Sequence, residues 1–405
     1  MNFGLGGGPV LNAFIGGGAG EVPTFVTGAS SRAKIAGAYD LTTVGYDGMI
    51  WVYSQTDMPL DTNGEELELF FNNWGSPAGE AGEWGTGFEA VVSSVVEYPI
   101  GSENKYPVTF ASATSKLMFD GGVSGWSDKL PFSFVKGTKC RVYSLLTFPD
   151  GTNSAFIPTY RSNAGELCYR GTGAAPVVGT TPGAAGTLLE YANYGPSGLR
   201  CKQVATNKPL IWIDGDSNTV DQFGTSADAD GNRTYTSVFT GVQSAMTACF
   251  SGRLLSSIED ATKRFELAQD QGCSDAFIFL GINDINGVNS FGDMQGYFAA
   301  VAGAIRGYDI VPHFATLSPN ENFSAPDLAI YTALNPWLRS VADSGPFGTI
   351  FELSDIVSTA RDSNVFKPGY NVGDGLHINW ANGSVKTEIL NAFKSFVQAL
   401  GYPTI

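Results

Sequence analysis

The sequence predicts two unlike halves: an all-β, sandwich-like region followed by a three-layer α/β/α domain. From about Tyr39 to Tyr194, short runs rich in β-branched and aromatic residues recur between clusters of Gly, Asn, Asp, Ser and Pro, and no comparable helical period interrupts them. From about Lys208 onward, continuous apolar runs alternate with segments whose apolar residues fall at helical spacing, the pattern of a parallel sheet covered by helices. The change falls in one place, which divides the 405 residues into a glycine-rich arm (1–38), a β-rich domain (39–205) and an α/β domain (206–405).

The elements follow in order. The opening stretch, MNFGLGGGPVLNAFIGGGAG, carries no Lys or Arg, and glycine interrupts each apolar run, so it reads as a flexible arm and not as a secretory signal peptide. In the β-rich region the strand candidates are Met49–Tyr53, Leu67–Phe71, Phe88–Val96, Pro107–Ala111 and Lys139–Phe148. Gly171–Gly186, low in charge and rich in Gly, Pro, Ala and Thr, reads as a loop or linker near the domain boundary. Beyond it come a strand over 210–214, a helix over Ser237–Ala245, a strand over Thr247–Phe250 and a helix over Ser256–Gln271. That helix has Ile258, Ala261, Phe265 and Ala268 on one face and Gly272 beyond its end. A strand over Ala276–Leu280, a helix over Phe291–Ile305, a strand around His313, a helix over Ala325–Val341, a strand near Thr349–Leu353 and a helix over Gly383–Leu400 complete the alternation.

Composition excludes several classes of function. The net charge of −16, with no clustered Lys and Arg, argues against nucleic acid or an anionic membrane as the main partner. No window of about 18 consecutive apolar residues predicts membrane insertion. Five cysteines without a Cys-x-x-Cys spacing imply no disulfide framework; Cys140 and Cys168 fall in one region, and either a bridge between them or two buried thiols fits. Two histidines and scattered cysteines do not supply a catalytic zinc site, and no cofactor is expected. Asp228–Asn232 opens like a calcium loop, but Arg233 stands where that loop needs glycine.

The chemistry gathers around Leu210–Val220, LIWIDGDSNTV, where a buried apolar run stops at Gly215-Asp216-Ser217. A strand ending there delivers the Ser217 hydroxyl to the carboxyl edge of the sheet, where open α/β sheets bind ligands. The tripeptide alone is ordinary turn chemistry. In order, however, it is followed by Ser251-Gly252, by Gly281-Ile282-Asn283-Asp284 directly after a second apolar run, and by Asp374-Gly375-Leu376-His377 before the last helix. A serine needs a base, and an imidazole needs a third group to hold its tautomer. Asp374, three residues before His377, would share its face in a helical turn and reach one ring nitrogen, leaving the other for Ser217. His313 lies in an apolar run and reads as a hydrogen-bonded core or edge histidine.

In these blocks the chain resembles the SGNH (GDSL-type) hydrolases, with Ser217, Gly252, Asn283 and His377 matching the family's four ordered blocks and Asp374 in its place before the histidine. The resemblance covers the second half, from near Lys208. It implies a flavodoxin-like strand order, a Ser217–His377–Asp374 triad, and an oxyanion hole made by the Ser217 N–H, the Gly252 N–H and the Asn283 side-chain amide. It also implies an ester substrate, with the acetyl group of a carbohydrate as the leading expectation and lipase or thioesterase action on other small esters as the alternative. A β-sandwich beside such a domain suggests glycan binding, with Trp51, Trp74, Trp84 and Trp126 as stacking candidates; Trp337 and Trp380 fit either a substrate pocket or the core. The glycine-rich arm also looks like the docking segments of some bacteriophage virion proteins. That likeness adds an extracellular or virion-associated setting, homo-oligomerisation or docking to virion proteins, and a non-enzymatic adhesin as further expectations. If the halves are separable, a fragment beginning near Thr206 should still hydrolyse a small soluble ester.

Overall fold

The computed structural model describes residues 24–28, 37–40, 49–60, 62–75, 83–149, 156–159, 165–180, 186–189, 194–204, 210–219, 243–247, 252–259, 262–287 and 290–402. The first half is a sandwich of two antiparallel sheets. One is built on Gly64–Asn72, flanked by Gly198–Val204 on one side and by Val123–Trp126 and Leu130–Phe134 on the other. The second is built on Ile50–Pro59, Lys139–Phe148 and Ala90–Glu97. Strict alternation in Leu130–Phe134, where Leu130, Phe132 and Phe134 point inward, is what a half-buried strand requires. Leu67, Leu69 and Phe71 from the first sheet meet Val52, Val92, Val142 and Leu146 from the second in one core.

Three expectations for this half change. Thr24–Gly28, inside the stretch read as arm, is a strand paired with Gly198–Val204; a run with four β-branched or aromatic residues suits a sheet edge better than a tether. The stretch read as a linker begins as strand Leu167–Thr172, and beyond it Ala175 and Val178 pack on Trp51 and Tyr53; Gly171 and Gly186 lie so close to Trp51 that a Cβ would overlap its ring. Cys140 and Cys168 are both free. They sit on strands to either side of Ile50–Pro59, opposite Met58 and Ser54, so two inter-strand spacings of about 4.8 Å each already hold them beyond bridging distance. Cys249, the calcium-like Asp228–Asn232 and the first 23 residues lie outside the described residues.

The second half is a parallel sheet of β1 (Leu210–Gly215), β2 (Gln243–Thr247), β3 (Cys273–Phe279), β4 (Val311–Ala315) and β5 (Ile350–Phe351), in the flavodoxin-like order β2-β1-β3-β4-β5. Successive residues alternate between two cores. Trp212, Ala276, Ile278 and Phe314 face α1 (Thr262–Asp270), α2 (Phe291–Arg306) and α3 (Ala325–Val341). Ile211, Ile213, Phe277, Phe279 and Ala315 face α4 (Leu353–Val357) and α5 (Gly383–Ala399). That is the three-layer arrangement. Helix starts follow local chemistry: Ser324 caps α3 by accepting from the Asp327 N–H, and Asn382 caps α5 by accepting from Ser384.

Here too the structure departs from expectation. The second strand is Gln243–Thr247, where the sequence suggested the end of a helix, and the rest of the expected Thr247–Phe250 strand lies outside the described residues. The helix expected over Ser256–Gln271 is a 3₁₀ turn at Ser256–Ile258 followed by α1, because each piece has its own acidic cap from elsewhere in the chain.

The halves share a core. On strand Gly64–Asn72, Leu67, Leu69 and Phe71 fill the sandwich, while Phe70 faces outward and joins Trp74, Trp212, Leu255 and Phe265 in the core beneath α1. Trp126 packs against Phe70 with its ring tilted by 50°, and the Arg200 guanidinium lies 4.2 Å from its ring centroid. No helix among the described residues is long and apolar enough to cross a membrane.

Candidate active site

Strand β1 is buried on both faces and ends in a turn that holds Ser217. Gly215 is required there, since a Cβ would stand 2.2 Å from Thr219 Oγ1. Asp216 folds the turn by accepting the Asn218 N–H at 2.8 Å. Asn218 then clamps the serine turn to the histidine segment: its Oδ1 accepts the Ile378 N–H at 2.9 Å, and its carbonyl accepts Trp380 Nε1–H at 2.6 Å. Trp380 is thereby a buried strut, and Trp337 packs against Phe291, Phe298 and Phe347 at the edge of the core. Sequence reasoning passed over Asn218, although its place directly after the serine is the signal that could have marked it.

His377 and Asp374 do not lie on a helical turn. Their loop is folded by hydrogen bonds to acceptors inside it, with Gly373 (φ +105°) and Gly375 (φ +74°) in conformations that favour glycine. Asp374 Oδ1 accepts the Leu376 and His377 N–H groups at 2.9 Å each, and Asn371 Oδ1 accepts those of Gly373 and Gly375. Asp374 Oδ2 lies 2.5 Å from His377 Nδ1, and His377 Nε2 lies 2.9 Å from Ser217 Oγ. Desolvation pushes the Asp374 carboxyl up, but the His377 N–H, the His377 ring, the Leu376 N–H and Asn371 outweigh it and hold the group well below the usual carboxylate range. An ionised Asp374 keeps the proton on Nδ1, so Nε2 is the acceptor for the serine hydroxyl.

The other side of the site is assembled by β3. Gly215 and Phe279 are register partners on β1 and β3, so Ser217 and Asn283 leave the same sheet edge side by side. Asn283 Nδ2 donates to the Arg253 carbonyl at 3.1 Å, next to Gly252, whose φ of +75° is the left-handed conformation expected of it. An amide nitrogen carries two hydrogens, and this bond uses one. Asp284 fixes the same segment by accepting the Leu255 and Ser256 N–H groups at 2.7 and 2.9 Å. The structure thus joins Ser217, His377 and Asp374 in one hydrogen-bonded chain and holds Asn283 against the Gly252–Arg253 segment.

Asp216 is fully buried: desolvation foremost, then the nearby Asp284 charge, push its carboxyl up to about 7 against the Asn218 hydrogen bond. His313 is a core residue, stacked on Phe277, with Nε2 2.8 Å from Asp275 and Nδ1 accepting the Thr349 N–H. Of the tryptophans offered for glycan stacking, Trp51 and Trp74 are buried and Trp126 is half-buried, while Trp84 is exposed. Among the described residues, no cluster of His, Cys, Asp and Glu is arranged to hold a metal ion.

No family model and no curated protein matches the chain. It is similar to several solved structures. The psychrotrophic esterase EstA from Pseudoalteromonas sp. is 17% identical, with a TM-score of 0.35 over 47% of this chain and 100% of that one. A GDSL-like lipase from Bacteroides thetaiotaomicron is 15% identical, with a TM-score of 0.37 over 47% and 88%. A carbohydrate esterase of family 3 from Talaromyces cellulolyticus is 18% identical, with a TM-score of 0.34 over 47% and 97%. The β2-β1-β3-β4-β5 sheet is the strand order that the resemblance to the SGNH-type hydrolases implies for this half of the chain, and the serine, glycine, asparagine and histidine blocks follow one another along it in order.

Proposed function

We propose that the protein is a serine esterase that removes a small acyl group, acetyl, from a carbohydrate. The observation that carries the ester chemistry is the continuous chain from Ser217 Oγ through His377 to Asp374, at 2.9 and 2.5 Å. Ser217 Oγ attacks the carbonyl carbon while His377 Nε2 takes its proton. The oxyanion of the tetrahedral intermediate is held by the Ser217 and Gly252 N–H groups and the Asn283 amide. The intermediate collapses, the sugar oxygen leaves with the proton from His377, and a water activated by the same imidazole releases acetate from the serine.

Acetyl and carbohydrate rest on the resemblance to the SGNH family and on the β-rich companion half, where Trp84 presents an exposed ring. A role in a virion rests on the glycine-rich arm, whose first 23 residues lie outside the described residues. The test is a time course of p-nitrophenyl acetate hydrolysis beside acetate release from a panel of acetylated glycans. Hydrolysis of the small ester with no acetate from any glycan would leave the esterase and remove the carbohydrate; no hydrolysis of either would remove both.

A further inference from the structure

Four charged side chains are sealed between the two halves of the molecule. Arg264 of α1 donates from Nε to Glu83 Oε1 of the β-rich half and from Nη1 to Asp214 Oδ2 of β1, each at 2.9 Å. Arg253 Nη1 lies 3.8 Å from the other Asp214 oxygen. The side chains of Arg264, Asp214 and Arg253 are 0% exposed and that of Glu83 3%. Glu83 also caps α1, accepting the Lys263 N–H at 2.8 Å and the Arg264 N–H at 3.0 Å. The formal charges cancel, two against two. Stability is a weak explanation for such a group, because desolvation of buried ions offsets most of their attraction.

What the cluster does fix is position. Asp214 stands three residues before Ser217, and Arg253 directly follows Gly252. Gly252 is exposed and has no side chain to anchor it, so the direction of its N–H depends on its neighbours. Arg253 is that anchor: its guanidinium is buried beside Asp214 and its carbonyl is held by Asn283. Removing Glu83 leaves Arg264 and Arg253 sharing one carboxylate, and Asp214 is drawn toward whichever of them is less neutralised.

We infer that Glu83 is a positioning residue for the oxyanion donors, acting from the β-rich half through Arg264, Asp214 and Arg253 on Gly252. The inference rests on the esterase reading above, and Glu83 touches no reacting atom. Glu83→Gln keeps one of the two accepting oxygens and replaces the other, with the charge, by an amide N–H2; Glu83→Ala removes both oxygens. With p-nitrophenyl acetate, in the cold and well below the unfolding midpoint of each variant, kcat should fall about tenfold in Glu83→Gln and up to about 100-fold in Glu83→Ala, KM staying within about twofold. Inhibition by methylboronic acid, which forms a tetrahedral anion on the serine, should weaken in parallel, since the donors act on the tetrahedral species. A residue that only stabilises the fold would lower Tm and leave kcat and boronate inhibition at the parental values, and that result overturns the inference. Glu83→Gln carries the test if the alanine variant does not fold. A parent that hydrolyses no ester overturns the site reading and this inference with it, whereas an active parent with unaffected Glu83 variants overturns the positioning role alone.

Discussion

The two sides of the candidate site are built differently. The acid–base side is local: Asp374, Gly375 and His377 lie within one loop, and that loop is tied to the serine turn by Asn218 alone among the polar side chains beside Ser217. The oxyanion side is distributed. Gly252 is set by Arg253, which depends on Asp214 in β1 and Asn283 beyond β3, and Asp214 is shared with an arginine that a residue of the sandwich neutralises. A short motif can specify the first kind of construction. The second kind needs the whole chain, and it ties the chemistry of one half to the folding of the other.

The largest effect that bears on this contrast comes from cutting the chain. A fragment beginning near Thr206 loses Phe70, Trp74 and Glu83, which exposes the sandwich-facing side of α1 and leaves Arg264 without its outer carboxylate. Uncovering large apolar side chains such as Trp212, Leu255 and Phe265 costs about 1.5–3 kcal/mol each, a large part of the roughly 5–15 kcal/mol that stabilises a domain. The fragment should therefore show no cooperative thermal unfolding and no hydrolysis of p-nitrophenyl acetate, against the separability that the change in sequence pattern suggests. A folded fragment with the parental kcat would show the oxyanion side to be as local as the acid–base side.

Within the full chain, Ser217→Ala should lower kcat by at least about 10³ while circular dichroism and Tm stay unchanged, because the hydroxyl is the proposed nucleophile and not a packing group. Asn283→Ala should follow at roughly 10² to 10³ in kcat with KM little changed, as an oxyanion donor acts in the transition state. A KM effect alone would move Asn283 to substrate binding. The same substitution removes the bond to the Arg253 carbonyl, so combining it with Glu83→Gln should cost less than the sum of the two; full additivity would place them on separate paths.

The sequence spoke clearly where structure is specified nearby. Helix α3 begins and ends at the expected Ala325 and Val341, and the strand over Lys139–Phe148 keeps its expected ends. The serine, asparagine and histidine blocks were legible for the same reason: each is a short motif at the end of a strand or before a helix. What was missed is nonlocal. Thr24–Gly28 is a strand because Gly198–Val204 lies beside it, and Gln243–Thr247 is a strand because it completes an edge of the parallel sheet. Glu83 caps a helix far along the chain, and nothing beside it in sequence says so. Even the Asp374 to His377 spacing, read as a helical turn, works through a glycine-bearing loop in which the aspartate accepts the backbone of the residues that follow it.

The smallest effect concerns Asp216, where the local turn meets the buried interior. It is 2% exposed, and burial, with Asp284 nearby, raises its carboxyl to about 7, whereas an aspartate in the unfolded chain titrates near about 3.9. Below about pH 4 the group is protonated in both states and makes no difference to stability. Between about pH 4 and 7 the unfolded chain releases the proton and the folded chain keeps it, so this group's contribution makes the fold less stable as pH rises; above about 7 the loss is complete. Asp216→Asn removes the titration and keeps an oxygen to accept the Asn218 N–H. The variant should therefore gain on the parent as pH rises from 5 to 8, by up to about 3 kcal/mol, read as the difference between their urea unfolding free energies at the two pH values. A difference that is the same at both would mean that the carboxyl does not titrate in this range in the folded protein, and that the serine turn rests on its hydrogen bonds without a cost in buried charge.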